Sequence, residues 1–177
     1  MRSRKEIKTF IQELCDSNKN TTLDNAKAFA IFAHDSLVDK DNNKVIGHVF
    51  RVVDTLKSKY PNDEFLQICG YLHDVIEDGG FLLSDIKMFF PEYIWSIIDC
   101  LTRYKLETKQ EYIHKVSSNY YASIVKIETI SDKINILSQK LKKSENDRII
   151  EEKLHSEYIY YKNTVIVLKK PEIVFFS

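Results

Sequence analysis

Six consecutive residues, His73 to Asp78 in the string HDVIED, carry four ionisable side chains directly after the apolar positions Phe65, Ile68, Cys69 and Leu72. Apolar residues at three- and four-residue spacing predict a buried helix that Asn62 can cap, running through Val75 and Ile76 to a stop at Gly79 and Gly80. On such a helix His73 and Glu77 form one stripe, and Asp74 and Asp78 the neighbouring one. Taking these charges out of water is costly unless they are paired or bind a cation. Glu77 and Asp78 also fall where the helix dipole disfavours negative charge. A single carboxylate at a helix end is ordinarily solvated or paired with Lys or Arg, whereas four ionisable groups in one short run point to a bound cation. Adjacent His and Asp offer a neutral nitrogen and an anionic oxygen, a mixture suited to Mn²⁺, Fe²⁺ or Zn²⁺ rather than to Ca²⁺ or Mg²⁺ alone. His48, in the string GHVFRVV, opens a helix after a polar loop and is the candidate for a further ligand. Arg51, three residues on, shares its face and could bind a phosphate bidentately.

The elements that must position these residues read as helices throughout. Helical periodicity marks residues 5–15 on Ile7, Phe10, Ile11 and Leu14, and residues 23–37, capped by Thr22, on Ala26, Phe29, Ala30 and Ala33. Residues 38–47 form a polar loop, and His48 to Tyr60 a helix stopped by Pro61. Beyond HDVIED, two short helices cover 84–90 and 91–101, another covers 109–116, and a long one covers 119–141. A C-terminal helix over 146–168 ends in Thr164 to Leu168, β-branched enough to be extended instead. His34 could face the site from the second helix, or be a satisfied core histidine. His114 and His155 read as surface residues, and Tyr158, Tyr160 and Tyr161 as packing.

Composition narrows the function classes. Lys plus Arg and Asp plus Glu are 26 each in 177 residues, so no global field would collect nucleic acid or an anionic membrane, and KLKK at 140–143 is too short for a basic stripe. Cys15, Cys69 and Cys100 are far apart and suggest neither disulfides nor a zinc knuckle. No apolar run resembles a signal peptide or a membrane span, so a cytoplasmic protein is expected. With 4 Gly and 3 Pro, helices joined by short turns are favoured over a β-sandwich.

The order HVFR, then YLHDVIED, then SDKINIL resembles the HD superfamily of metal-dependent phosphohydrolases, most of all its small RelA/SpoT-type (p)ppGpp-hydrolase branch, over residues 26–141. KAFAIFAH and LTRYKLETKQEYIHKVSSN are similar to the branch's flanking segments. The resemblance implies an all-α fold, a single helical bundle over residues 1–177 around a central metal site, usually Mn²⁺. It also implies that His48, His73, Asp74 and Asp132 are metal ligands and that Glu77 and Asp78 are the catalytic acidic pair. Arg51, Lys40, Lys44 and Asn135 would then contact a phosphorylated nucleotide, the best candidate being a (p)ppGpp-type alarmone hydrolysed at its 3′-pyrophosphate. Two registers exist for the fourth ligand. Aligned on SDKINIL it is Asp132; aligned without gaps from SSNYYASIVKI it falls on Thr129, beside Glu128. Asp132 is favoured because an unpaired charge among Ile130, Ile134 and Ile136 would be costly.

In the loop before His48 the branch carries an Arg that packs on the base and a Gly-Thr-Pro-Tyr-Ile run. Here the loop is DSLVDKDNNKVIGH, with Asp39 near the Arg position, so weaker guanine discrimination is expected. The stretch beyond Leu141 is short for a synthetase segment, so hydrolysis without synthesis is expected. The rival readings are an HD hydrolase of another nucleotide and a degenerate HD module that binds without turnover.

Overall fold

Apolar residues at helical spacing close into amphipathic helices that share a core. The computed structural model describes residues 1–17, 22–39, 42 and 44–168. In chain order the helices are α1 (Arg4–Ser17), α2 (Thr22–His34), α3 (Ile46–Lys59), α4 (Glu64–Leu72), α5 (Leu83–Lys87), α6 (Glu92–Leu101), α7 (Lys109–Ser117), α8 (Tyr120–Ser138) and α9 (Glu145–Val167). The all-α expectation holds among these residues, where the extended pairing is an isolated bridge between Val38 and Lys44. No described helix is long and apolar enough to cross a membrane.

α4 packs between α2 and α3, and α3 also packs on α8, which lies along α9. The shared core includes Leu56 of α3, Leu66 and Leu72 of α4, and Ile124 and Ile130 of α8, all at most 2% exposed. Each contributes about 1.5–3 kcal/mol on burial. Phe29 of α2 is ringed by Phe10, Phe81, Phe89 and Phe90, with centroids 4.9–5.5 Å away, which seats α1, α2 and the α4–α5 connection on one another. Side-chain caps start several helices: Asp63 accepts from Leu66 N, Asn119 accepts from Ala122 N, and Thr108 and Ser144 form capping boxes with Glu111 and Asp147.

Several expected boundaries move. Asp63, not Asn62, caps α4, and Thr22 lies inside α2 rather than capping it, while α2 ends at His34 instead of Leu37. α3 begins at Ile46, ahead of His48, because Val45 N bonds Leu37 O at 3.0 Å and Gly47 N bonds Lys44 O at 3.0 Å, folding the loop back on itself. Asn42 takes φ 63° in that loop, a conformation Asn tolerates. α8 stops at Ser138, and α9 stays helical through Val167, where the Thr164 hydroxyl donates to Tyr160 O at 3.0 Å.

The largest correction concerns α4, which ends at Leu72, so HDVIED lies in a run of turns rather than on the regular helix. His73 Nδ1 donates to the Gly70 carbonyl at 2.7 Å, the acceptor a continuing helix would offer to residue 74. Val75 N reaches back only to Leu72 O, after which Asp78 N bonds Asp74 O and Gly79 N bonds Val75 O. The four-residue relation of Asp74 and Asp78 thus survives in a looser turn. Gly79 closes it against α2: a Cβ there would lie 2.6 Å from Ala33 Cβ and 2.6 Å from Val75 O. Gly79→Ala should therefore cost about 1–3 kcal/mol, the usual range for overpacking, measured by urea denaturation at neutral pH.

Candidate metal centre

His48 from the start of α3 and His73 and Asp74 from the turn after α4 each offer a ligand atom within 4.8 Å of the others. Hydrogen bonds at the far side of each ring decide which nitrogen faces in. His73 Nδ1 donates to Gly70 O, and His48 Nδ1 donates to Asp132 Oδ2 at 2.6 Å. In the neutral rings Nε2 therefore bears the lone pair. Both Nε2 atoms are buried without a hydrogen-bond partner, and they lie 2.9 Å (His73) and 4.0 Å (His48) from the same oxygen of Asp74. Two nitrogen lone pairs facing one carboxylate oxygen form a set of acceptors with no donor, and a cation satisfies it. The residues present thus fit a divalent metal ion, with His48 Nε2, His73 Nε2 and the Asp74 carboxylate to hold it.

Electrostatics agree with that fit. Burial, which favours the neutral ligand form, pushes the His48 imidazole below its ordinary pKa, against the hydrogen bond that its Nδ1 donates to Asp132. Burial works against charge on Asp74, but a protonated His73 in contact with it, helped by Lys133 and His48, would hold its pKa well below the usual carboxylate range, and a bound cation in place of that proton would act in the same direction.

Asp132 of α8 reaches the centre from behind His48. Besides the bond to Nδ1, its carboxylate accepts from Arg51 Nε at 2.7 Å and Nη2 at 3.0 Å. Burial alone would raise its pKa; the bonds from His48 and Arg51 overcome this and bring it to about 2. In the other register, Glu128 is buried and turned to Lys59 Nζ at 2.8 and 2.9 Å, and the Thr129 hydroxyl donates to Lys126 O at 2.9 Å. Of the three α8 residues, Asp132 is the one in contact with a histidine of the cluster.

The acidic pair sits beside the ligands. Burial raises the pKa of Glu77; Arg103 N, donating to its Oε1 at 2.6 Å, opposes this, and Asp74 and Asp78 add to it. Burial and Asp74 likewise raise Asp78. Arg103 and Lys133 lie in segments that carry the resemblance, but their actions on Glu77 and Asp74 join residues far apart in the chain and arise only on folding. Arg51, Asp132 and Asn135 line a cavity of about 350 Å³ together with Asp54, Thr55 and Gln139. Lys44 is exposed at the bridge to Val38, and Lys40 lies outside the described residues. Of the three tyrosines read as packing, Tyr161 is buried in the core, Tyr158 packs against it, and Tyr160 is exposed. His34 is both a core residue and one that faces Asp78, at 3.8 Å.

The described helices form an all-α bundle that carries the His48, His73 and Asp74 cluster. No protein-family model and no curated protein matches the sequence. Among solved structures the chain is similar to a metazoan orthologue of SpoT, described as hydrolysing ppGpp and playing a role in starvation responses. The likeness covers 84% of this chain and 92% of that one at 18% identity, with a TM-score of 0.69. At that identity it carries the fold.

Removing the carboxylate behind His48 should loosen the ring and the centre. Asp132→Asn is expected to lower affinity for added Mn²⁺ or Zn²⁺ by at least about tenfold, the lower range for groups that orient a metal-binding histidine, whereas Thr129→Ala should leave it within about twofold. Isothermal titration calorimetry on chelator-treated protein measures both.

Proposed function

We propose that this chain is a metal-dependent phosphohydrolase acting on a nucleotide, with the 3′-pyrophosphate of a (p)ppGpp-type alarmone as the favoured substrate. The observation that carries the reading is the pair of buried, unpartnered Nε2 atoms aimed at Asp74, with two further carboxylates on the same turn. The HD-type fold and the described activity of the SpoT orthologue support it.

On this reading His48, His73 and Asp74 hold a divalent ion, Mn²⁺ by the resemblance and Fe²⁺ or Zn²⁺ as alternatives, and Asp132 completes the set or fixes the His48 ring. Such an ion, when bound, lowers the pKa of water and polarises a phosphoryl oxygen. Glu77 and Asp78 take up and return protons. Burial and the negative charge of Asp74 raise both pKa values above the ordinary carboxylate values, the direction that suits acid–base work. Arg103 N holds Glu77 by its Oε1 atom. Arg51, about half exposed, and Asn135 present donors to the cavity beside Asp132, where part of the nucleotide binds, with Lys40 and Lys44 serving its phosphates. Asp39 contributes negative potential at Arg51, so the loop attracts a cation rather than stacking one on a base, and guanine discrimination is weak.

One observation favours a second reading, a degenerate module that binds nucleotide without turnover. Asp132 is engaged by His48 and Arg51 and is not among the three ligand atoms of the cluster. Incubating metal-loaded protein with a panel of phosphorylated guanine and adenine nucleotides, and identifying the phosphate species released, separates the two. Pyrophosphate release supports hydrolysis; saturable binding without any release supports the degenerate module. If hydrolysis is found, Glu77→Gln and Asp78→Asn should each keep the metal, read by elemental analysis, while kcat falls at least about 100-fold.

A further inference from the structure

Three contacts hold the end of α2 against the turn that carries the acidic pair. Gly79 seats on Ala33, Arg2 Nε donates to Phe32 O at 2.9 Å, and Arg2 N donates to Gly79 O at 3.1 Å. The next residue of α2 is His34, whose exposure is 0%. Its Nδ1 donates to Ala30 O at 2.8 Å, so in the neutral ring Nε2 bears the lone pair. That Nε2 is buried with no hydrogen-bond partner and lies 3.8 Å from Asp78 Oδ2. His34 contributes no atom to the ligand cluster, so its orphaned nitrogen is not explained by the metal. The chain has set a fully buried imidazole, locked at one nitrogen, beneath a carboxylate that is 43% exposed.

We propose that His34 is a positioning residue for Asp78: Nε2 and the Asp78 carboxylate close on a single shared proton, and this bond selects the carboxylate rotamer at the mouth of the metal centre. The proton resides on one partner of the pair, either as carboxylic acid donating to the Nε2 lone pair or as Nε2–H donating to carboxylate; no other reactant is needed. A separation of 3.8 Å exceeds a hydrogen bond, and rotation of the half-exposed Asp78 rather than of His34 would close it, because His34 is fully buried and held at Nδ1 by Ala30 O. Hydrogen bonds of this kind tighten when substrate enters. The inference deepens the phosphohydrolase reading and rests on it for the acid–base role of Asp78, but the pairing itself is a structural statement.

Two measurements test it. Long-range ¹H–¹⁵N spectra of the imidazoles, recorded on protein whose metal is exchanged for diamagnetic Zn²⁺, should show the His34 ring nitrogens shifting in Asp78→Asn. Unmoved His34 resonances overturn the pairing, whether or not the protein turns over any nucleotide. In kinetics on the nucleotide panel, His34→Asn keeps a donor for Ala30 O but cannot reach Asp78, and should lower kcat at least about tenfold with KM changed less than about threefold. His34→Gln, which restores a polar group near the Nε2 position, should recover most of that loss at unchanged metal content. Equal kcat in wild type and His34→Asn, or a loss that Gln does not recover, overturns the positioning role. If wild type releases no phosphate, the hydrolase reading fails while the spectra still decide the pairing. They also decide it if the His34 variants do not fold, because Asp78→Asn leaves the core untouched.

Discussion

Two buried imidazole nitrogens and one carboxylate oxygen meet in a corner, each with a lone pair directed inward. Left alone, such a set repels itself, and burying unpaired polar atoms is costly. Only neighbouring structure can hold it: the Gly70 carbonyl and the Asp132 carboxylate fix the outer nitrogens, and the packing of α3 on α4 and α8 fixes the distance between the rings. Val49 and Val52, which follow His48 on α3, and Leu72 and Val75, which flank His73 and Asp74, are fully buried, so the core anchors the segments that carry the cluster. A bound cation would turn this conflict into a strong, specific interaction, so the site and the core beneath it are parts of one arrangement.

The break in α4 belongs to the same arrangement. A regular helix through Asp78 would have used the Gly70 carbonyl for its backbone ladder; the His73 side chain takes it instead, and the following residues relax into turns. Regular hydrogen bonding is given up where the ligands need to be aimed, a local rule broken at a functional site. Stability returns through tertiary contacts, with Gly79 against Ala33 and the Phe29 cluster holding α2 over the turn. That contact also brings His34 under Asp78, which joins the acidic pair to the core.

Arg51 shows how one side chain serves two demands. Its guanidinium pairs bidentately with Asp132, which keeps that carboxylate ionised beside His48. The same group lines the cavity next to Asn135 and Gln139 and remains about half exposed. In the proposed reaction an incoming phosphate would compete with Asp132 for Arg51, which would link substrate binding to the orientation of Asp132 behind His48.

Local information was enough for most of the helices. Apolar spacing in residues 4–17, 22–34, 46–59 and 120–138 marks helices within a few residues of their bounds, since a helix buries one face and its period is written in the chain. The density of charge in HDVIED after an apolar run marked the place of the cluster, because unpaired charge near a core demands a partner. Other features depend on groups far apart in the chain. His48 and Asp132 are 84 positions apart, so whether Asp132 stands among the ligand atoms or behind the ring is decided by how α3 and α8 cross. The end of α4 at Leu72 follows from a side chain competing for a backbone acceptor, a contest that helical periodicity does not register. The sequence leaves His34 either facing the site from the second helix or satisfied in the core, and only when α2 is laid over the turn does its second nitrogen face Asp78. The sequence by itself determined which segments are helical and where the ionisable cluster falls, because both are set by neighbours within a few residues. The tertiary structure decided which nitrogen of each histidine is free and what stands opposite it, because those depend on packing between segments that no local pattern encodes.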